Sequence, residues 1–150
     1  YYNFIKKSLP LAKFIHVHRD PWDNAISLFK QYYVKEITYS SSFFGIALEY
    51  ANYEHLMNQW RSEENHNILD IDYKDLVTNT DDAADKIWSF CNIPGKYNKS
   101  ERSNHFAQTA SKHQVRQEIY TTSLEKDEFV EFKDEFHENL DNQRSYWANS

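Results

Sequence analysis

The segment Arg19-Asp20-Pro21 is the first part of this sequence whose residue types could do chemistry. An arginine at the end of a strand can direct its planar guanidinium at a phosphate and hold it through two parallel hydrogen bonds. Ser27 lies eight residues further on, about two turns into the expected helix, and its hydroxyl could donate to the same anion. This spacing predicts a phosphate site. The alternative is an arginine paired with Asp20 or Asp23 in a surface turn.

Two further segments carry side chains that could bind a nucleotide. Tyr73 ends the second expected strand, where its ring and hydroxyl could contact a nucleotide, although a core tyrosine is the alternative. Residues 109–120 are rich in hydrogen-bond donors and contain a single acid, which suits a bound phosphate or sulfate. A solvated polar loop is the alternative for this stretch. Its donor side chains belong to Thr109, Ser111, Lys112, Gln114 and Arg116.

Three histidines near these segments are candidate metal ligands. His16 and His18 project from the same side of one expected strand, but no third ligand follows at a suitable spacing. Packed strand histidines are therefore the better interpretation, and we expect no metal requirement. His113, within the donor-rich stretch, is interpreted as structural or solvent-facing.

The elements that must position these residues alternate between strands and helices. Residues 12–18 and 68–73 alternate apolar and polar side chains, which predicts two strands. A first helix is expected to end near residue 9, and a second to begin at Pro21 with Asp20 as its N-cap. A third helix is expected over 43–61, after a loop at 38–42. A fourth should run from Asp81 or Asp82 to Cys91, and a fifth should cover most of 125–147. Strands separated by helices indicate an α/β fold with a parallel sheet flanked by helices. We interpret residues 1–150 as a single domain.

Composition narrows the class of protein. The 150 residues carry a formal net charge of −6, which argues against general nucleic-acid binding because that needs a basic surface. Cys91 is the single cysteine, which suits a reducing compartment. We find no signal peptide and no apolar run long enough for a membrane span, and therefore expect neither.

Three segments, taken in order, resemble the sulfotransferases that use 3′-phosphoadenosine 5′-phosphosulfate (PAPS), in particular the bacterial branch related to the tyrosylprotein sulfotransferases. They are residues 14–23 with Ser27, residues 72–77, and residues 110–117 with 119–123. Together they extend the resemblance over about residues 1–126. The resemblance implies a P-loop-NTPase-like sulfotransferase fold and transfer of a sulfuryl group from PAPS to an acceptor hydroxyl or amine.

The resemblance also implies roles for individual residues. Arg19 and Ser27 would bind the 3′-phosphate of PAPS, and Tyr73 would contact the nucleotide near the adenine. Ser111 would lie near the transferring group and stabilise its developing charge. Further contacts to PAPS, or to its product adenosine 3′,5′-bisphosphate (PAP), are implied for Gln114, Val115, Arg116 and Lys126. Relatives with peptide substrates have an additional arginine where this chain has Gln31.

One family feature is absent from the sequence. The family opens with a strand, a glycine-rich phosphate loop and a histidine or glutamate base, all before the position of Arg19. Only 18 residues precede Arg19, and the two glycines, Gly45 and Gly95, both follow it. We therefore expect a partial domain, the C-terminal portion, which lacks the base and is inactive alone.

The sequence leaves several points open. The acceptor could be a carbohydrate, lipid, peptide or small molecule, and the oligomeric state is undetermined. We expect a location in the bacterial cytoplasm. The competing interpretations are a nucleotide kinase of similar fold and a non-catalytic nucleotide-binding or interaction domain.

Overall fold

The computed structural model describes residues 1–31, 37–63, 67–95 and 129–150, which form two compact units. The first unit contains the described residues of 1–18 and 67–95, and the second contains those of 19–31, 37–63 and 129–150. In chain order the elements are α1 (Tyr2–Ser8), β1 (Phe14–His18), α2 (Pro21–Phe29), a 3₁₀ turn (Thr38–Ser41), α3 (Phe43–Glu63), β2 (Ile68–Asp72), α4 (Tyr73–Thr78), α5 (Thr80–Cys91), a second 3₁₀ turn (Val130–Phe132) and α6 (Lys133–Ala148).

The first unit is built on a parallel pair of strands. β1 and β2 are in register from the pair Phe14–Ile68 to the pair His18–Asp72. Helices α4 and α5 pack against β2, and Ile71 of that strand is buried. The expectation of an α/β fold with a parallel sheet and flanking helices is therefore confirmed, with two strands among the described residues.

The second unit is a helical cluster around one apolar core. Helices α2, α3 and α6 each contribute a stripe of apolar residues at helical spacing. The buried core consists of Trp22, Ala25, Ile26, Ile46, Ala47, Tyr50, Ala51, Phe136 and Leu140. Within the predicted tail helix, Phe136 and Leu140 are fully buried, whereas Phe132 just before α6 is 42% exposed.

Several predicted boundaries were wrong, and two of them have a local cause. Residues 38–41 form a 3₁₀ turn instead of an irregular loop, because the hydroxyls of Ser40 and Ser41 donate to carbonyls three residues earlier. Helix α5 begins at Thr80 and has Asn79 as its N-cap, not Asp81 or Asp82. The hydroxyl of Thr80 donates to the carbonyl oxygen of Leu76 in α4. This bond connects the two helices at the position where α5 begins.

Candidate functional site

Arg19 lies between the end of β1 and the start of α2 in the chain. His18 is the last residue of β1, and Asp20 is the N-cap of α2 with Pro21 at the first helical position. The side chain of Asp20 accepts a hydrogen bond from the backbone N–H of Asp23 at 3.0 Å. The predicted N-cap is therefore confirmed, and it defines where the backbone turns into the helix immediately after Arg19.

The side chain of Arg19 extends along α2. Its Nη2 lies 3.5 Å from Oδ2 of Asp23, and the two side chains are only 18% and 17% exposed. This is the pairing that the sequence offered as an alternative, and it involves Asp23. The distance is beyond the usual range of a strong charge-assisted hydrogen bond.

Ser27 lies one helical turn after Asp23. Residues four apart on a helix are neighbours on its surface, with Cβ atoms about 5–6 Å apart. Ser27 is half-buried, beside the core residue Ile26. The guanidinium of Arg19 thus contacts a residue that lies one helical turn before Ser27.

Tyr50 of α3 holds the backbone of Arg19. Its hydroxyl donates to the carbonyl oxygen of Arg19 at 2.7 Å, and its side chain is 8% exposed. Burial raises the pKa of the Tyr50 hydroxyl, and the neighbouring Tyr53, Glu54 and Asp20 raise it further. The sequence analysis missed this contact, since the two residues are 31 positions apart.

Tyr73 belongs to the first unit, where it is the first residue of α4. The expectation that it ends the second strand is corrected, because β2 ends at Asp72. The side chain of Asp72 accepts from the backbone N–H of Lys74 at 2.7 Å and so starts the helix at Tyr73. Tyr73 is half-buried, and its contact with a nucleotide stays a prediction.

The remaining predicted site residues lie outside the described part of the chain. This group comprises Ser111, Gln114, Val115, Arg116 and Lys126, together with His113. Their roles stay predictions from the sequence.

The strand histidines form a packed polar pair with an acid of the neighbouring strand. Nδ1 of His16 lies 2.5 Å from Oδ1 of Asp70, its register partner, and the rings of His16 and His18 stack with centroids 5.8 Å apart. This matches the interpretation of packed strand histidines. Within the described ranges, no three side chains of histidine, cysteine, aspartate or glutamate are placed to share a metal ion.

No helix among the described residues combines the length and the apolar character needed to cross a membrane.

Comparison with known proteins gives one family and one relative. An uncharacterized protein of Aquifex aeolicus (strain VF5) is 28% identical over an alignment of 138 residues. The alignment covers 84% of this chain and 17% of that protein. The chain thus spans about a sixth of the length of this relative. No solved structure matches the chain.

The family profile described as "Sulfotransferase family" matches residues 1–98. The matched segment includes Arg19, Ser27 and Tyr73, the three predicted ligand-binding residues that the structure describes. Because the match covers 98 of the 150 residues, the chain belongs to the sulfotransferase family.

Proposed function

We propose that this chain forms the 3′-phosphate-binding part of a PAPS-dependent sulfotransferase. In the complete reaction, an acceptor oxygen or nitrogen attacks the sulfur of PAPS, and the bond from sulfur to the 5′-phosphate oxygen breaks. The sulfuryl group moves to the acceptor, PAP leaves, and a base takes up the acceptor proton. The base is not assigned to a described residue.

The observation that carries the proposal is the position of the Arg19 guanidinium on the flank of α2. The contact between Arg19 and Asp23 directs the cation along the helix. Because Ser27 follows one helical turn after Asp23, its side chain is expected on the same flank. A phosphate on this flank would receive charge-assisted hydrogen bonds from the guanidinium and one from the serine hydroxyl. The family match over residues 1–98 supports this assignment.

The proposed site acts at a distance from the bond that breaks. Binding energy gained at a remote phosphate can hold the reacting end of a substrate in the geometry needed for in-line transfer. Arg19 would thus contribute to the rate by positioning the donor. Ser111, as the proposed stabiliser of the transferring group, would act at the reacting end.

The proposal predicts selective binding of nucleotides that carry a 3′-phosphate. In calorimetric titrations, the chain is expected to bind PAP more tightly than ADP or adenosine 5′-monophosphate. Arg19→Ala should weaken PAP binding about 10- to 100-fold, because a hydrogen bond to a charged group contributes about 1.5–3 kcal/mol. Ser27→Ala should weaken it less, about tenfold or below.

The matched control for this test removes a positive charge elsewhere in the second unit. Arg61→Ala removes one positive charge from the last turn of α3, where Arg61 contacts Asn58, and should leave PAP binding unchanged. Equal affinity for PAP and ADP in a folded sample would favour a nucleotide kinase or a non-catalytic nucleotide-binding domain. Absence of binding to every nucleotide would favour an interaction domain.

A further inference from the structure

Tyr50 is held rigidly by the core of the second unit. It belongs to the buried cluster in which α2 and α3 pack together, where Ile26 and Ala47 are fully buried. The Tyr50 ring also contacts the ring of Tyr53 edge to face, with centroids 5.4 Å apart. A ring that is packed on several sides has few accessible rotamers, so its hydroxyl loses little further side-chain entropy when it forms a hydrogen bond.

The hydroxyl of Tyr50 meets the backbone at the residue proposed to bind phosphate. The carbonyl of Arg19 precedes the N-cap Asp20, so it lies outside the hydrogen bonds of α2. A hydrogen bond at 2.7 Å to this carbonyl restrains the peptide plane between Arg19 and Asp20. That plane sets the direction in which the Arg19 side chain leaves the backbone.

The second restraint on Arg19 acts at the other end of its side chain. Asp23 lies 3.5 Å from the guanidinium, and both side chains are more than four-fifths buried. Tyr50 therefore restrains the backbone of Arg19 while Asp23 restrains its charged end. An arginine restrained at both ends loses less conformational entropy when it binds an anion.

Tyr50 serves as the donor throughout the ordinary pH range. A carbonyl oxygen can only accept, so the phenol must keep its proton to make this bond. Burial and nearby acids raise the pKa of Tyr50, which favours the protonated phenol.

We propose that Tyr50 is a positioning residue that holds Arg19 for selective recognition of the 3′-phosphate. The proposal rests on the proposed function, since it assigns the selectivity of that same site to a residue that does not touch the ligand. Tyr50 would act through the backbone of Arg19 and would have no effect on contacts to the adenine or the 5′-phosphate.

The test compares two nucleotides that differ only in the 3′-phosphate. Tyr50→Phe keeps the ring in the core and removes the hydroxyl. It should weaken PAP binding about tenfold, the effect of losing one hydrogen bond that positions Arg19, and leave adenosine 5′-monophosphate binding unchanged. Asn52→Ala is the matched control, because it removes an acceptor for Trp147 from the same helix without contacting Arg19.

Several results would overturn the proposal. If Tyr50→Phe weakens the binding of both nucleotides equally, the hydroxyl has a general structural role. If it weakens the binding of neither nucleotide, the function of Arg19 does not depend on the hydroxyl. In an Arg19→Ala background, Tyr50→Phe should cause no further loss of PAP affinity, and an additive loss would contradict action through Arg19. If the unsubstituted chain itself does not prefer PAP, the proposed function fails, and the positioning proposal fails with it.

A measurement on the unsubstituted chain covers the case in which Tyr50→Phe does not fold. With carbon-13-labelled tyrosine, the ring resonance of Tyr50 should shift on addition of PAP and stay in place on addition of adenosine 5′-monophosphate. Equal shifts with both nucleotides, or no shift with PAP, would overturn the proposal.

Discussion

At the scale of single residues, Arg19 is defined by the side chains around it more than by its own position in the chain. Its carbonyl accepts from Tyr50 and its guanidinium contacts Asp23. An isolated Arg-Asp-Pro segment would leave a long side chain with many rotamers, which is costly to order around an anion. The two contacts restrict those rotamers before any ligand arrives.

Tyr50 is expected to make the stability of the chain sensitive to alkaline pH. Its pKa in the folded chain is raised above the ordinary value of 10.0, so the folded state keeps a proton that the unfolded state releases above that pH. The stabilising contribution is complete below pH 10.0 and is lost as the pH rises towards the folded pKa. Tyr50→Phe should make this loss shallower, by up to about 1.4 kcal/mol per pH unit.

Urea unfolding at increasing pH, up to about pH 12, measures this effect. Tyr146→Phe is the matched control, because the side chain of Tyr146 is 60% exposed. The same pH dependence in the unsubstituted chain and in Tyr50→Phe would contradict the expected coupling between folding and the Tyr50 proton.

At the scale of elements, the start of α3 depends on a close approach of two backbones. The hydroxyl of Ser42 accepts from the N–H of Gly45 at 3.0 Å, which caps the helix. A Cβ atom at Gly45 would lie 2.7 Å from the carbonyl oxygen of Tyr39 in the preceding 3₁₀ turn. A backbone carbonyl cannot rotate aside as a flexible side chain can, so this position requires glycine.

Gly45→Ala should therefore destabilise the chain although alanine is the better helix former. The clash is expected to cost about 1–3 kcal/mol, which outweighs a gain in helix propensity of about 1 kcal/mol. Glu49→Ala, at an exposed position one turn later in α3, is the control and should change stability little. A variant Gly45→Ala that resists urea as well as the unsubstituted chain would show that the 3₁₀ turn can move away.

At the scale of the whole molecule, the second unit relies on residues that are distant in sequence. Phe136 and Leu140 of α6 are fully buried among side chains of α2 and α3. The contact between α3 and α6 is reinforced by Arg144, whose guanidinium donates to both carboxylate oxygens of Glu54 at 2.7 and 2.8 Å. This pair is partly exposed, so the apolar contacts dominate the stability of the interface.

Phe136→Ala should accordingly destabilise the chain strongly. Removing a buried phenylalanine ring costs about 3–5 kcal/mol, a large part of the total of about 5–15 kcal/mol that is typical of a folded domain. Leu56→Ala in α3, where the side chain is 44% exposed, is the control and should cost far less. Similar losses in the two variants, measured by urea unfolding, would argue against the described packing of α6.

The net charge of the molecule also limits how it can bind an anion. At −6, the chain as a whole repels a nucleotide, so any affinity must come from a few local donors. The proposed site meets this condition through Arg19 and Ser27, both on a partly buried flank where a charge is less screened than on an open surface.

The sequence by itself determined the features whose causes lie within a few neighbouring residues. Asp20 and Pro21 start α2 because a side-chain cap and a fixed φ angle act locally, and the apolar spacing of α3 defines its buried face. Three ordered segments, of which the one around Arg19 is the first, likewise pointed to the sulfotransferase family, and the family match over residues 1–98 bears out that assignment.

Only the tertiary structure decided the contacts between residues far apart in the chain. The bond from Tyr50 to Arg19 spans 31 positions, and the pair His16–Asp70 spans 54. The requirement for glycine at position 45 likewise depends on where the preceding 3₁₀ turn comes to lie. Such contacts follow from how helices and strands pack in space, because periodicity shows which face of an element is buried and cannot show which atom it will meet.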